Sequence, residues 1–158
     1  MVERRTPAWQ AFLKYLVYFF TAAAVILYFL TQGTLIMIAA ILFGVGCYFV
    51  TTLTDIEYEY LYLDKEITVD KIMHKSKRKR VAVYSVDKIE IMAPINSHQL
   101  DSYKNRTFKN TDVSSNIVNQ PDKRYCFYYD GKECVIFEPT EEFVKLVKNV
   151  APRKVFMD

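Results

Sequence analysis

Few residues in this chain of 158 could do chemistry: three cysteines, two histidines and one dense run of cations. The run is His74-Lys75-Ser76-Lys77-Arg78-Lys79-Arg80, five positive charges in seven positions, and no acid falls between Asp70 and Asp87. Such a cluster can grip nucleic acid, meet anionic headgroups or an acidic protein, or stay solvated as a turn. The histidines, His74 and His98, have no nucleophile at a motif spacing, and no Cys-x-x-Cys or histidine pair offers a metal site. Glycines at 33, 44, 46 and 131 make no phosphate-cradling loop. The acids of Asp55-Ile-Glu57-Tyr-Glu59 fit a solvated strand face, and those after Thr140 fit a helix N-terminus, rather than acid–base pairs. No catalytic residue, cofactor site or metal site is expected, and the chain reads as a non-enzyme.

Cys126 and Cys134 flank Phe-Tyr-Tyr-Asp-Gly-Lys-Glu, and Asp130-Gly131 signals a two-residue hairpin turn. That turn pairs Phe127 with Cys134 and Cys126 with Val135, which puts the cysteines on opposite faces and forbids a disulfide. Reduced, packed thiols are the expectation, as in a cytoplasmic compartment.

Charge is unevenly distributed. No charged residue occurs from Tyr15 to Thr54; before that block stand Arg4, Arg5 and Lys14 against Glu3, and from Asp55 onward 18 basic residues face 17 acidic ones. A nearly balanced domain lacks the broad basic face of a nucleic-acid binder, which argues against that partner. The apolar block splits at Thr31-Gln32-Gly33-Thr34 into segments of about 20 residues, 12–30 and 34–53, each long enough to cross about 30 Å of hydrocarbon. A cleavable signal peptide is the competing reading of the first, but its apolar run is long and a second span follows at once. The flanking cations place both termini in the cytoplasm, with Trp9 and Tyr15 at the inner boundary. A multi-pass protein of the cell membrane is expected. Beyond Lys14 at the start of the first, neither span holds an acid, a base or a histidine, so an anchor fits better than an ion path. Ala40, Gly44, Cys47 and Thr51 line one face of the second span, suited to packing on the first or to homo-oligomerisation.

After the spans the pattern alternates. Strands are expected at 56–63, 67–73, 80–85 and 86–94, a hairpin at 124–139, and in the polar stretch 95–123 one or two short strands near 103–108 and 113–118. Tyr58, Tyr60 and Tyr62 share one strand face, which suits a sheet core. Thr140, two acids and apolar Phe143, Val144, Leu146, Val147 and Val150 predict an amphipathic helix. The division is a cytoplasmic segment 1–11, a two-helix transmembrane hairpin 12–54, and a cytoplasmic domain 55–158.

The two short helices, the sequence Asp55–Tyr84, the Ile-Glu-Ile-Met-Ala-Pro strand and the late Val-Ile-Phe-Glu-Pro-Thr-Glu-Glu-Phe-Val-Lys-Leu-Val together resemble an uncharacterised family of small bacterial membrane proteins with a C-terminal pleckstrin-homology-like (PH-like) domain. The resemblance implies a membrane α-helical hairpin plus an α+β domain: a β roll of six or seven antiparallel strands closed by the C-terminal helix. PH domains bind lipids or proteins, so it implies an interaction module at the cytoplasmic face and transfers no catalytic residue. In lipid-binding PH domains the cations lie around the first hairpin loop, here the acidic Asp64-Lys65-Glu66, while this chain's run follows the next strand. Lys75, Lys77, Arg78, Lys79 and Arg80 are the candidate contacts to anionic headgroups or a protein partner. The run can also serve as a solvated turn in which Lys71 or Lys75 faces Glu57 or Glu59. An accessory subunit of a larger membrane complex is the alternative function.

Overall fold

The computed structural model describes residues 2–118 and 121–157. Its contacts divide the chain into two compact units, one of residues 6–56 with 73–77, the other of residues 1–5, 57–72 and 78–158.

The first unit is the helical pair α1 (Ala8–Thr31) and α2 (Thr34–Thr54). Gln32 closes α1 in the left-handed region (φ 50°) and Gly33 precedes α2, so two residues reverse the chain. Both helices are long and apolar enough to cross a membrane. Their seam is built from small groups: the Thr21 hydroxyl lies 3.1 Å from Cys47 Sγ, and Gly46 faces Val17. Gly44 differs, since a Cβ there would meet nothing within 4 Å.

The second unit is β-rich. β1 (Val2–Glu3), β2 (Ile56–Leu63), β3 (Glu66–Met73) and β4 (Lys77–Ser85) form one sheet in the order β1-β2-β3-β4. β5 (Ile89–Pro94), β6 (Lys109–Asp112), β7 (Tyr125–Tyr129) and β8 (Glu133–Phe137) form another, ordered β5-β7-β8-β6. Two four-stranded sheets therefore replace the expected single roll, and the β6–β8 pair is parallel rather than antiparallel. A four-residue helix α3 (Asp101–Lys104) precedes β6, and α4 (Glu141–Val150) follows β8.

One face of the second sheet carries the main core. Phe127, Val135 and Phe137 are buried there with Met92, and Tyr60 and Tyr84 of the first sheet meet Phe137 and Phe127 edge-on at 5.5 and 5.1 Å. The tyrosine alternation thus fills the core, where each fully buried large side chain stabilises by roughly 1.5–3 kcal/mol. Thr140 caps α4 by accepting from the Phe143 N–H at 3.3 Å, which turns Phe143, Val144 and Val147 inward. Leu146 and Val150, also expected on the apolar face, are exposed.

Two expectations fail in the polar stretch. Residues 98–104 are helical turns, and the one strand among the described residues of this stretch, β6, sits at 109–112, between the two proposed positions. Ser97 starts the first turn by accepting from the Gln99 N–H, and Ser114 and Ser115 bond their own neighbouring backbone, as short polar side chains do in place of a ladder. The N-terminal segment also carries a strand that sequence pattern did not indicate: Val2 pairs with Tyr58 and Glu3 with Glu57. Arg4 reinforces it through Tyr58 Oη (2.9 Å) and the Asp112 carbonyl (3.2 Å), a structural use for a residue read only as a topological charge.

The β7–β8 register corrects the cysteine argument. Asp130 and Gly131 both have positive φ, 51° and 64°, as the turn signal requires. Lys132 is nonetheless an extra residue, its carbonyl taken by the Lys109 N–H of β6. Pairing becomes Tyr129 with Glu133, Tyr128 with Cys134 and Cys126 with Ile136. This one-residue slip brings both cysteines to the same face, the one turned away from the main core, with sulfurs 2.7 Å apart.

Candidate functional site

The basic run occupies a tight turn and the strand leaving it. His74 and Lys75 have positive φ, 50° and 54°, and the Ser76 N–H closes the turn on the Met73 carbonyl at 3.3 Å. The run is not a turn throughout, however, because β4 begins at Lys77.

Residues 73–77 belong to the helical unit. The His74 N–H donates to the Asp55 carbonyl at 2.8 Å, and the Asp55 carboxylate accepts from Lys14 Nζ at 2.9 Å with His74 Nδ1 at 3.9 Å. Lys77 Nζ is 3.4 Å from Tyr48 Oη and 5.9 Å from its ring centroid. Tyr48 lies six residues before the end of α2, about 9 Å along the axis at 1.5 Å per residue. The ammonium of Lys77 thus flanks the last turns of α2.

Residues 78–80 belong to the β unit, where strand alternation sorts the cations. Arg78 forms an ion pair with Glu59 of β2, its Nη1 is 3.9 Å from Asp70 Oδ2, and Arg80 Nε is 3.8 Å from Asp70 Oδ1. Asp70 is buried and its Oδ1 accepts no hydrogen bond. A buried carboxylate needs compensating charge, and the two exposed guanidiniums supply it across 3.8–3.9 Å. Among the described residues, the side chains of Lys75 and Lys79 make no ion pair or hydrogen bond. The solvated-turn reading placed Lys71 or Lys75 opposite Glu57 or Glu59; the partner of Glu59 is Arg78. Sequence reading treated the five cations as equivalent; Arg78 and Arg80 stand within 4 Å of carboxylates and Lys77 contacts Tyr48. Asp70 was the signal, an acid buried next to Val69 in β3.

Of the small-residue face, Ala40 and Cys47 are half-buried in the helical unit and Gly44 is exposed. Among the described residues no three His, Cys, Asp or Glu side chains gather as metal ligands would.

Two apolar N-terminal helices followed by an α+β, β-rich domain define a small protein of the PH-like class with helices suited to a membrane. The chain belongs to the family described as Bacterial PH-like domain (DUF6106), which it matches over residues 1–157. No curated protein and no solved structure matches the chain.

Proposed function

We propose that this protein is a non-catalytic, membrane-anchored PH-like interaction module in which Lys75, Lys77 and Lys79 contact anionic lipid headgroups. α1 and α2 span the cell membrane with both termini cytoplasmic, following the cations that flank them. The observation that carries the reading is the Lys77–Tyr48 contact. If α2 spans, an ammonium beside its last turns lies at headgroup depth, and Lys75 belongs to the same turn. The Arg78 and Arg80 pairing with Glu59 and Asp70 leaves the lysines as the available charge. Membership of a PH-like family agrees with an interaction role. Each lysine near an anionic surface contributes about 1 kcal/mol, so three supply about two orders of magnitude in affinity at low salt.

The test is native mass spectrometry of the full chain released from detergent with mixed phosphatidylglycerol and phosphatidylcholine. The wild type retains phosphatidylglycerol preferentially, and the Lys75→Gln/Lys77→Gln/Lys79→Gln variant loses that preference while still folded. Equal retention of both lipids by the wild type refutes the proposal. The accessory-subunit alternative draws on Gly44, whose open backbone could receive another helix. The same spectra distinguish it, since a partner or second copy adds its mass.

A further inference from the structure

We propose that Cys126 and Cys134 form a two-electron redox site that exchanges with low-molecular-weight disulfides bearing carboxylates, Cys134 reacting first and Cys126 resolving. The two sulfurs are 2.7 Å apart on one face of the β7–β8 hairpin, and a disulfide bond of about 2.05 Å requires them to close by only about 0.7 Å. Both are free thiols and both are buried, Cys126 among Ala93, Leu100 and Ile91.

Their surroundings are unequal. A cleft of about 380 Å³ opens on this face, lined by Tyr103, Lys104, Arg106, Phe108, Tyr128 and Cys134 among others. Cys134 forms part of its wall and Cys126 does not, so an incoming molecule meets Cys134. The cleft is aromatic and basic. Tyr103 stacks on Tyr128 at 4.7 Å, and the Arg106 guanidinium stands 5.3 Å over the Tyr103 ring. Lys104 is neutralised by Asp101 at 2.6 Å, whereas Arg106 has no ion pair among the described residues and is the group to receive a carboxylate. The 2.7 Å contact between the two sulfurs, in which either can donate, holds Cys134 below the ordinary thiol range against the opposing effect of burial, with Tyr128 acting in the same direction; Cys126 is raised by the same contact and by burial. The first proton therefore leaves Cys134, as an attacking thiol requires.

The exchange balances without a further reagent. The Cys134 thiolate attacks one sulfur of RSSR, forming Cys134–S–S–R and releasing RS⁻, which takes the proton Cys134 lost. The Cys126 sulfur then attacks Cys134 Sγ, releasing a second RS⁻ that takes the Cys126 proton. Two cysteine thiols are oxidised to one disulfide, and RSSR is reduced to two RSH. The site stands independently of the lipid-contact reading.

The experiment treats the reduced full chain in detergent micelles with oxidised glutathione, alkylates remaining thiols with N-ethylmaleimide under denaturing conditions, and maps the peptides by mass. The expected product links Cys126 to Cys134 and leaves Cys47 alkylated. Cys126→Ser traps a glutathione adduct on Cys134, while Cys134→Ser leaves Cys126 unmodified. Arg106→Gln slows oxidation by glutathione disulfide several-fold and leaves oxidation by the uncharged 2-hydroxyethyl disulfide unchanged. A folded wild type that yields no Cys126–Cys134 link overturns the site. Equal adducts in the two serine variants overturn the order of attack, and equal slowing with both disulfides overturns the carboxylate preference.

Discussion

Replacing Arg78 and Arg80 together by glutamine strips a buried carboxylate of both its counter-charges. Asp70 has a side chain only 5% exposed, while the arginines are 54% and 69% exposed, so their attraction is screened on one side and not the other. At an effective dielectric of about 20, a unit pair at about 4 Å is worth about 4 kcal/mol before desolvation. Exposure of the guanidiniums and their lost side-chain freedom reduce the net effect to about 1–2 kcal/mol for the pair of substitutions. Hydrogen exchange of β3 amides in the full chain reads this directly, as a rise of about 5- to 30-fold in the opening equilibrium. Adding Asp70→Asn to the double variant recovers at least half the loss, because the amide carries no charge to compensate. The reasoning is refuted if β3 protection is unchanged in the double variant, or if Asp70→Asn fails to restore it. The lysine triple variant is the internal control: the ion pairs to Asp70 among the described residues come from Arg78 and Arg80, so β3 protection should stay at the wild-type level.

Three further outcomes follow from individual contacts. Thr140→Ala removes the acceptor for the Phe143 N–H and should destabilise α4 by about 1 kcal/mol, read as faster exchange of its first-turn amides. Asp122 is held below the usual carboxylate range by the Arg124 guanidinium, at 2.7 Å from Nη2 to Oδ2. Its contribution is complete above the unfolded value of about 3.9 and is lost as pH falls through the lower folded value. Asp122→Asn should therefore melt below the wild type near neutral pH and converge on it in strong acid, in a series of thermal melts across pH. Burial among aromatic rings, with Glu133 nearby, pushes Tyr84 up to about 12. Because the folded value exceeds the unfolded one of about 10, this contribution is complete below about pH 10 and lost as pH rises toward the folded value. Tyr84→Phe should flatten the alkaline limb of the stability profile followed by circular dichroism.

Local signals reached some elements and missed others for identifiable reasons. The Gln32-Gly33 break, the Ile56–Leu63 alternation and the Thr140 cap are short-range statements, and the chain reverses, extends and starts α4 at those places. The Cys126–Cys134 geometry was not legible, because register depended on Lys132 giving its carbonyl to β6, a strand 23 residues earlier that no pattern marks. A parallel edge strand of four polar residues has no period to detect. β1, at two residues, is too short for any pattern. The basic run was legible as a cluster but not as two groups. Its division needs β4 to begin at Lys77, and the flanking turn residues and high charge pointed instead to a loop.

The 74–77 turn is proposed to lie among anionic headgroups. A benzophenone side chain introduced at Ser76 of the full chain, in liposomes of phosphatidylglycerol and phosphatidylcholine, tests it most directly, with adducts identified by mass after irradiation. The expected products are phospholipid adducts enriched in phosphatidylglycerol beyond its share of the bilayer, with the enrichment fading at high salt. Adducts with neither lipid, or adducts in simple proportion to bilayer composition, would contradict it.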